Sequence, residues 1–332
     1  MRIGLLGTGR IGAFHARTLR DLPGVRELLL ADADPARAGA VASAVGDGAH
    51  ALPTPADLLA AGVDAVVIAA STTAHAELIV AAARAGVPAF CEKPLAADLA
   101  GTLTVLDEVA AAGAVLQIGF QRRFDAGYAA AREAVRSGRL GRLHTVRALT
   151  ADPAPPPTGY LPLSGGLYRD CLVHDFDALR WVTGREVVTV HAVGSDAGPA
   201  MFREAGDVDT AAAVLTLDDG TLATATATRM NGAGYDVRME LAGERETIAV
   251  GLGPRTPLTS VEPTAPGRAG PPWPGFLERF GPAYAAQLAA FVALVRGERA
   301  NPCDGWEALR ALRVAEACEE SRRAERPVRV SP

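Results

Sequence analysis

MRIGLLGTGRIG, residues 1–12, decides how the first third of the chain is read. A short apolar run, RIGLLG, leads straight into Gly7-Thr8-Gly9-Arg10-Ile11-Gly12. That is a G-x-G-x-x-G spacing placed where a strand gives way to a helix. An acid, Asp32, closes the second apolar run, ELLLAD, 20 residues beyond Gly12. Together these features are the fingerprint of a dinucleotide site. Gly7 permits the tight turn, Gly9 lets a pyrophosphate approach the backbone, and Gly12 lets helix and strand pack closely. The helix N-terminus offers free N–H groups and the positive end of its dipole to the phosphates. Asp32 can accept from both ribose hydroxyls and would repel a 2′-phosphate. The residues that follow it are Ala33, Asp34 and Pro35, with no arginine among them, so NAD is expected rather than NADP.

Working outward, five apolar runs (RIGLLG, ELLLAD, AVVIAA, VPAFCE and AVLQIG) alternate with Ala-rich helical stretches up to Gly119. Strands without polar alternation, separated by helices, indicate a parallel sheet covered on both faces. The texture changes from Leu143. HTVRALTA, EVVTVHAV, VDTAAAVLTL, TLATATATRM, DVRMEL and RETIAVG read as longer, partly alternating strands, some joined by tight turns such as LDDGTL. They predict a mainly antiparallel sheet. One long helical stretch, GGLYRDCLVHDFDALRWVTG, lies early among them. Residues 251–274 are rich in Pro and Gly and read as a loop, and two amphipathic helices follow over roughly 275–296 and 304–324. The expected class is α/β. Residues 1–121 form a doubly wound nucleotide domain, and residues 122–332 form a second, α/β domain.

At 332 residues the chain is long for one core. A net charge of −5 and the absence of any basic run argue against nucleic acid. Cys91, Cys171, Cys303 and Cys318 lie far apart with no CxxC, so neither a metal site nor a disulfide framework is expected. The N-terminus has no leader pattern and no apolar stretch reaches spanning length, which points to a cytoplasmic protein without a membrane partner.

Of the 33 basic side chains besides histidine, 32 are arginine, and Lys93 in FCEKPLA is the only lysine. On a solvated surface arginine serves as well. A lysine differs in being compact and in having a pKa that its surroundings move readily. Lys93 is therefore read as a chemical residue, against the plainer reading of a chance survivor at a strand end.

GLLGTGRIGAFHA, STTAHAE, FCEKPLA, GFQRRFD, SGGLYRDCLVHDFDALRWVTG and FLERFGPAYAAQLAAF, in this order and spacing, resemble the Gfo/Idh/MocA oxidoreductases over essentially the whole chain. GFQRRFDAGY and GYDVRMEL are similar to its inositol 2-dehydrogenase branch. The resemblance implies a Rossmann domain followed by an α/β domain for substrate binding and oligomerisation, whose large open sheet carries subunit contacts, as a homodimer or homotetramer, with the active site between the domains. It implies Lys93, Asp170 and His174 as catalytic residues, the latter two matching D-x-x-x-H. It implies Gly7, Gly9, Arg10, Ile11, Gly12, Asp32, Ser71, Thr72, His75, Glu92 and Lys93 around the cofactor, and Gln121, Arg122, Asp152 and Tyr235 around the substrate. A cis peptide before Pro94 is a further family trait.

The residues themselves are compatible with this. Asp170 and His174 are spaced i and i+4, on one face of an α-helix. His75 reads first as a satisfied polar residue at a helix start, while Arg122 reads equally as an ion pair linking domains, and Asp175 and Asp177 as solvated helix positions. Gln121 and Arg169 depart from the family's usual residues and leave the exact polyol open. The implied reaction is NAD-dependent oxidation of a secondary alcohol of a cyclic polyol, myo- or scyllo-inositol, to the ketone. His174 would be the base, Asp170 would orient it or bind a neighbouring hydroxyl, and Lys93 would favour the developing alkoxide. The alternatives are a pyranose or amino-sugar dehydrogenase or reductase, an NAD-dependent glycosidase, and a non-catalytic NAD-sensing regulator.

Overall fold

In the computed structural model, which describes residues 1–264 and 270–331, the five apolar runs become strands buried along nearly their whole length. The chain order is β1 (Arg2–Leu6), α1 (Arg10–Asp21), β2 (Glu27–Ala31), α2 (Pro35–Val45), β3 (Ala49–Ala51), α3 (Pro55–Ala60), β4 (Ala65–Ile68), α4 (Thr72–Arg84), β5 (Ala89–Glu92), α5 (Leu99–Ala111) and β6 (Leu116–Gly119). All six strands are parallel, in the order β3-β2-β1-β4-β5-β6. This is the doubly wound Rossmann sheet, and the direction of winding reverses between β1 and β4. The sixth strand, β3, was not expected. Its sequence, AHA, has no apolar run, and it is held by pairing with β2 alone.

Helix starts divide into two kinds. Asp34, Thr54 and Asp98 cap α2, α3 and α5 with their side chains, accepting from backbone N–H groups of the first turn. At α1 and α4 the capping positions, Gly9 and Ser71, make no such bond. The helices that follow β1 and β4 thus open with their first N–H groups uncapped by side chains.

The second unit contains α6 (Ala126–Arg136), β7 (Leu143–Ala151), α7 (Leu161–Ser164), a π-helical turn (Tyr168–Leu172), α8 (Val173–Thr183), β8 (Val187–Ser195), α9 (Ala200–Glu204), β9 (Thr210–Leu217), β10 (Leu222–Thr228), β11 (Asp236–Gly243) and β12 (Thr247–Val250). Two long helices, α10 (Phe276–Val295) and α11 (Gly305–Ala324), and a short β13 (Val328–Arg329) complete the chain. The seven-stranded sheet runs β12-β11-β7-β10-β9-β8-β13, and every pair is antiparallel except β7 with β10. Ala211, Ala213, Leu215 and Leu217 of β9 and Ala223, Ala225 and Ala227 of β10 point inward, while the residues between them face out. That alternation makes a one-sided sheet.

Two features differ from the sequence reading. The first is the make-up of the units, which are Met1–Gln121 with Tyr284–Leu309, and Arg122–Ala283 with the chain from Arg310 onward. The stretch 284–309 was assigned to the second domain, yet Leu288, Phe291 and Val292 share a core with Ile3, Leu5, Leu28, Val67 and Phe90. Asn301 donates to the Leu116 carbonyl at 2.8 Å and Ile118 N–H to that of Cys303 at 2.8 Å, which covers the edge of the sheet at β6. The second is that the expected long helix before Gly184 opens with the π-helical turn. The stretch 251–274 has no helix or strand among its described residues, as expected of a loop; residues 265–269 lie outside the described residues, and Trp273 forms an isolated bridge with Tyr235.

Candidate active site

In the first unit the nucleotide turn is built by close approach. Gly7 has φ +92°, and a Cβ there would sit 2.5 Å from Ala70 Cα, so the β1–α1 turn lies directly on the β4–α4 turn. A Cβ on Gly12 would meet the Gly7 carbonyl oxygen at 2.0 Å, while one on Gly9 would meet nothing within 4 Å. Helix and strand are in contact behind the loop, and the space over Gly9 is open. That is the cradle a pyrophosphate requires.

Asp32 is nearly buried. Its Oδ2 accepts from Thr8 N–H at 2.6 Å and from the Thr8 hydroxyl at 2.8 Å, and its Oδ1 accepts from Asp34 N–H at 2.9 Å. Arg37 Nη1 stands 3.4 Å from the same Oδ1. Burial alone would raise this carboxyl, but the Asp34 and Thr8 donors and the Arg37 guanidinium hold it below the usual carboxylate value. The sequence reading found no arginine directly after Asp32. The structure supplies one five residues on, half-exposed at the first turn of α2.

Arg10 is exposed and Ile11 half-buried where α1 begins. Ser71 stands at the N-cap position of α4 without capping it, its hydroxyl 3.1 Å from that of Thr73, and Thr72 opens that helix. His75 is buried, with Nδ1 2.6 Å from the Pro94 carbonyl oxygen and Nε2 3.1 Å from that of Ala70. Burial holds its pKa below the ordinary histidine value, against the pull of both carbonyls and Glu92, and Lys93 pushes the same way as burial. The bond Lys93–Pro94 is cis. Glu92, Lys93 and His75 therefore meet in one turn at the carboxyl end of β5.

In the second unit Asp170 lies in the π-helical turn, and its two oxygens are held apart. Oδ1 accepts from the Tyr160 hydroxyl at 2.9 Å and Oδ2 from Arg229 Nη2 at 2.9 Å. Arg229 is buried and also stands 3.9 Å from Asp152 Oδ2, to which the Cys171 thiol points at 3.7 Å. His174 follows, half-buried, in the first turn of α8.

Arg122 belongs to a deeper set. Arg122 Nη1 donates to Asp175 Oδ1 at 2.6 Å and Nη2 to Thr150 Oγ1 at 2.8 Å, and the Thr150 hydroxyl donates to Asp175 Oδ2 at 2.6 Å. The guanidinium lies 6.0 and 5.9 Å from the rings of Tyr128 and Phe280. The ion pair of Arg122 is internal to this unit, so the reading of a link between domains is corrected. Asp175 and Asp177 are both fully buried and paired, Asp177 with Arg123 at 2.6 Å, which removes the solvated reading of either. Tyr235 is buried between the two sets. Burial raises its phenol, with Arg122 pulling it down and Asp152 and Asp175 pushing it up. Gln121, at the end of the first unit, is buried with Oε1 lacking a partner. Arg169 forks onto Glu316 at 2.7 and 2.6 Å. Among the described residues no group of three or more His, Cys, Asp and Glu is arranged to hold a metal ion.

Sequence reasoning missed Arg229, Tyr160, Arg37 and His15. Two of these had a signal. Arg229 continues the inward parity of Ala223, Ala225 and Ala227, and a charge on an inward position requires a partner. His15 falls on the buried face of α1 with Gly12, Ala16 and Leu19.

A doubly wound sheet with this turn and this acid defines a dinucleotide-binding protein. Residues 1–120 match the oxidoreductase family with an NAD-binding Rossmann fold, and residues 128–249 match the GFO/IDH/MocA C-terminal domain. The chain belongs to the GFO/IDH/MocA family. It is 42% identical over 323 residues to a myo-inositol dehydrogenase of Streptomyces leeuwenhoekii, covering 97% of each chain. It superposes on the crystal structure of a Corynebacterium glutamicum myo-inositol dehydrogenase with a TM-score of 0.91 at 32% identity, covering 100% of this chain and 99% of the other. A scyllo-inositol dehydrogenase of Lactobacillus casei, solved with NAD(H) and scyllo-inositol bound, matches with a TM-score of 0.89 at 28% identity, again over 100% and 99%.

Proposed function

We propose that this protein oxidises one secondary alcohol of an inositol to the ketone, using NAD. The observation that carries the reading is Asp170, fixed between the buried Arg229 and Tyr160 one turn before His174, in a chain whose relatives are named inositol dehydrogenases. Bound NAD supplies the hydride acceptor. His174 takes the hydroxyl proton, since an imidazole titrates in the working range. Asp170, aimed by Arg229, orients the imidazole or accepts from a neighbouring hydroxyl. Lys93 stabilises negative charge on the carbinol oxygen. The partnerless Oε1 of Gln121 suits it to accept from a further hydroxyl. Arg122, engaged by Asp175 and Thr150, fits a supporting role better than a direct one.

In the same reading, residues 1–121 with 284–309 bind the cofactor, and the remainder binds substrate and a second copy of the chain. Val193, Val214 and Leu222 are exposed on one face of neighbouring strands β8, β9 and β10, and covering that apolar face is the support for a homodimer or homotetramer. Four free, buried cysteines suit the cytoplasm. The test follows NADH absorbance with inositols, pyranoses and aryl glycosides. Turnover is expected with an inositol, and a clear preference for a pyranose or an aryl glycoside overturns the reading.

A further inference from the structure

His15 is fully buried in α1, among the rings of Phe14, Phe90 and Tyr284, with centroids 6.1, 6.0 and 5.8 Å away. Its Nε2 lies 2.7 Å from Glu92 Oε1, while its Nδ1 is buried without a partner. An imidazole with its proton on Nε2 donates to the carboxylate and leaves only a lone pair unmatched, which costs less than an unmatched N–H. Glu92 is hemmed in on its other side as well. It pairs in register with Gly119 of β6, where a Cβ would come within 2.8 Å of Oε2. So Glu92 is wedged between α1 and β6, and the next residue is Lys93. On the far side of that lysine, His75 of α4 holds the Pro94 carbonyl at 2.6 Å.

We infer that His15 is a positioning residue that acts through Glu92 to hold the Lys93 turn in register with the pyrophosphate-binding end of α1. α1 begins at the Gly9–Gly12 turn, and His15 stands barely a turn further along it. A rigid helix tied to Glu92 therefore fixes the backbone that carries the ammonium relative to the bound nucleotide. The inference rests on Lys93 being catalytic, as proposed above. A displacement of an ångström at a reacting group is enough to cost ~10²-fold in rate.

The test compares His15→Leu, His15→Gln, Glu92→Gln, the His15→Leu/Glu92→Gln double variant and Lys93→Ala. His15→Leu should lower kcat ~10²-fold while NAD affinity, read by fluorescence titration without polyol, changes by less than about threefold. His15→Gln, which keeps a donor to Glu92, should recover most of that loss. The double variant should be no worse than the more damaging single one, because both act on one link. Lys93, as the only lysine, gives a single side-chain NMR signal after ¹³C-dimethylation, and in the apoprotein that signal should broaden or shift in His15→Leu but not in His15→Gln. Wild-type kcat in His15→Leu, additive losses in the double variant, or a lower melting temperature with kcat and the Lys93 signal unmoved would each overturn the inference. If Lys93→Ala itself keeps kcat, the reading of Lys93 fails first. If Lys93→Ala is inactive and His15→Leu is not, only the positioning role fails. Should His15→Leu not fold, the comparison of His15→Gln with Glu92→Gln still decides, since near-normal turnover is expected of the first and a loss of the second.

Discussion

Arg229 Nη2 donates to Asp170 Oδ2 at 2.9 Å from a side chain only 3% exposed, with Asp152 Oδ2 3.9 Å from its other terminal nitrogen. A buried cation between two carboxylates is the partner both share, and it aims Asp170. Removing the cation leaves two acids short of a partner, whereas neutralising one acid leaves the cation the other. Arg229→Met should therefore destabilise the fold by about 3 kcal/mol, and Asp170→Asn by less, as read from urea unfolding. The reverse order would mean that Arg229 is not what holds the cluster.

His174→Ala should leave NAD binding intact and lower turnover by ~10²-fold or more. Asp170→Asn should lose less if it orients the imidazole. Equal losses would show the two acting as a unit. Near-normal turnover in His174→Ala would rule it out as the base.

Lys93→Arg should be nearly as damaging as Lys93→Ala. Arginine serves at all 32 other basic positions, so its charge suits this protein. At Lys93 a planar guanidinium is bulkier and cannot release a proton. The loss should lie in kcat, with the melting temperature little changed. Full activity of Lys93→Arg would reduce the role of Lys93 to its charge.

NAD should be preferred over NADP by at least ~10-fold, because the anionic Asp32 repels a 2′-phosphate. Asp32→Ala alone should relax this preference, since Arg37 already stands 3.4 Å from the carboxylate and is left to meet the phosphate. Adding Arg37→Ala should abolish the gain. Kinetics with both cofactors on the three proteins check this, and NADP use that survives loss of Arg37 would assign the contact elsewhere.

Stability should fall as pH drops below 6.5, in part through His75. Burial depresses its folded pKa below the ordinary value of 6.5. Above pH 6.5 both folded and unfolded forms are neutral there and the contribution is complete. Below it the unfolded chain takes up a proton that the folded site resists, so stability is lost until the folded pKa is reached. His75→Asn, which keeps a donor where Nδ1 stands, should flatten that slope in unfolding measured from pH 6.5 downward.

The first sheet was legible because parallel strands buried on both faces show as unbroken apolar runs, and its turn because three glycines and one acid at fixed spacing have few other uses. β3 escaped because a three-residue edge strand needs no apolar run. The positions proposed as catalytic, Lys93, Asp170 and His174, could be located by motif, but what holds them could not. Arg229, Tyr160 and His15 come from a strand end, a loop and a distant helix, and only folding decides which charge faces which. Asp175 and Asp177 show the same limit, since two acids on a helix read as solvated until Arg122 and Arg123 are found beneath them. The i, i+4 spacing of Asp170 and His174 was also read on an ideal helix, and a π-helical turn occupies that stretch instead.

Leu288, Phe291 and Val292 complete a core whose other members begin at Ile3. During synthesis the nucleotide sheet therefore leaves the ribosome long before the residues that finish its interior and cover its edge at β6. The nascent N-terminal segment has to wait, with part of its apolar surface uncovered, until α10 and residues 301–303 emerge. A fragment ending at Gln121 should accordingly behave as an aggregation-prone folding intermediate, and a chaperone that binds apolar strands would find its main client here in the unfinished chain.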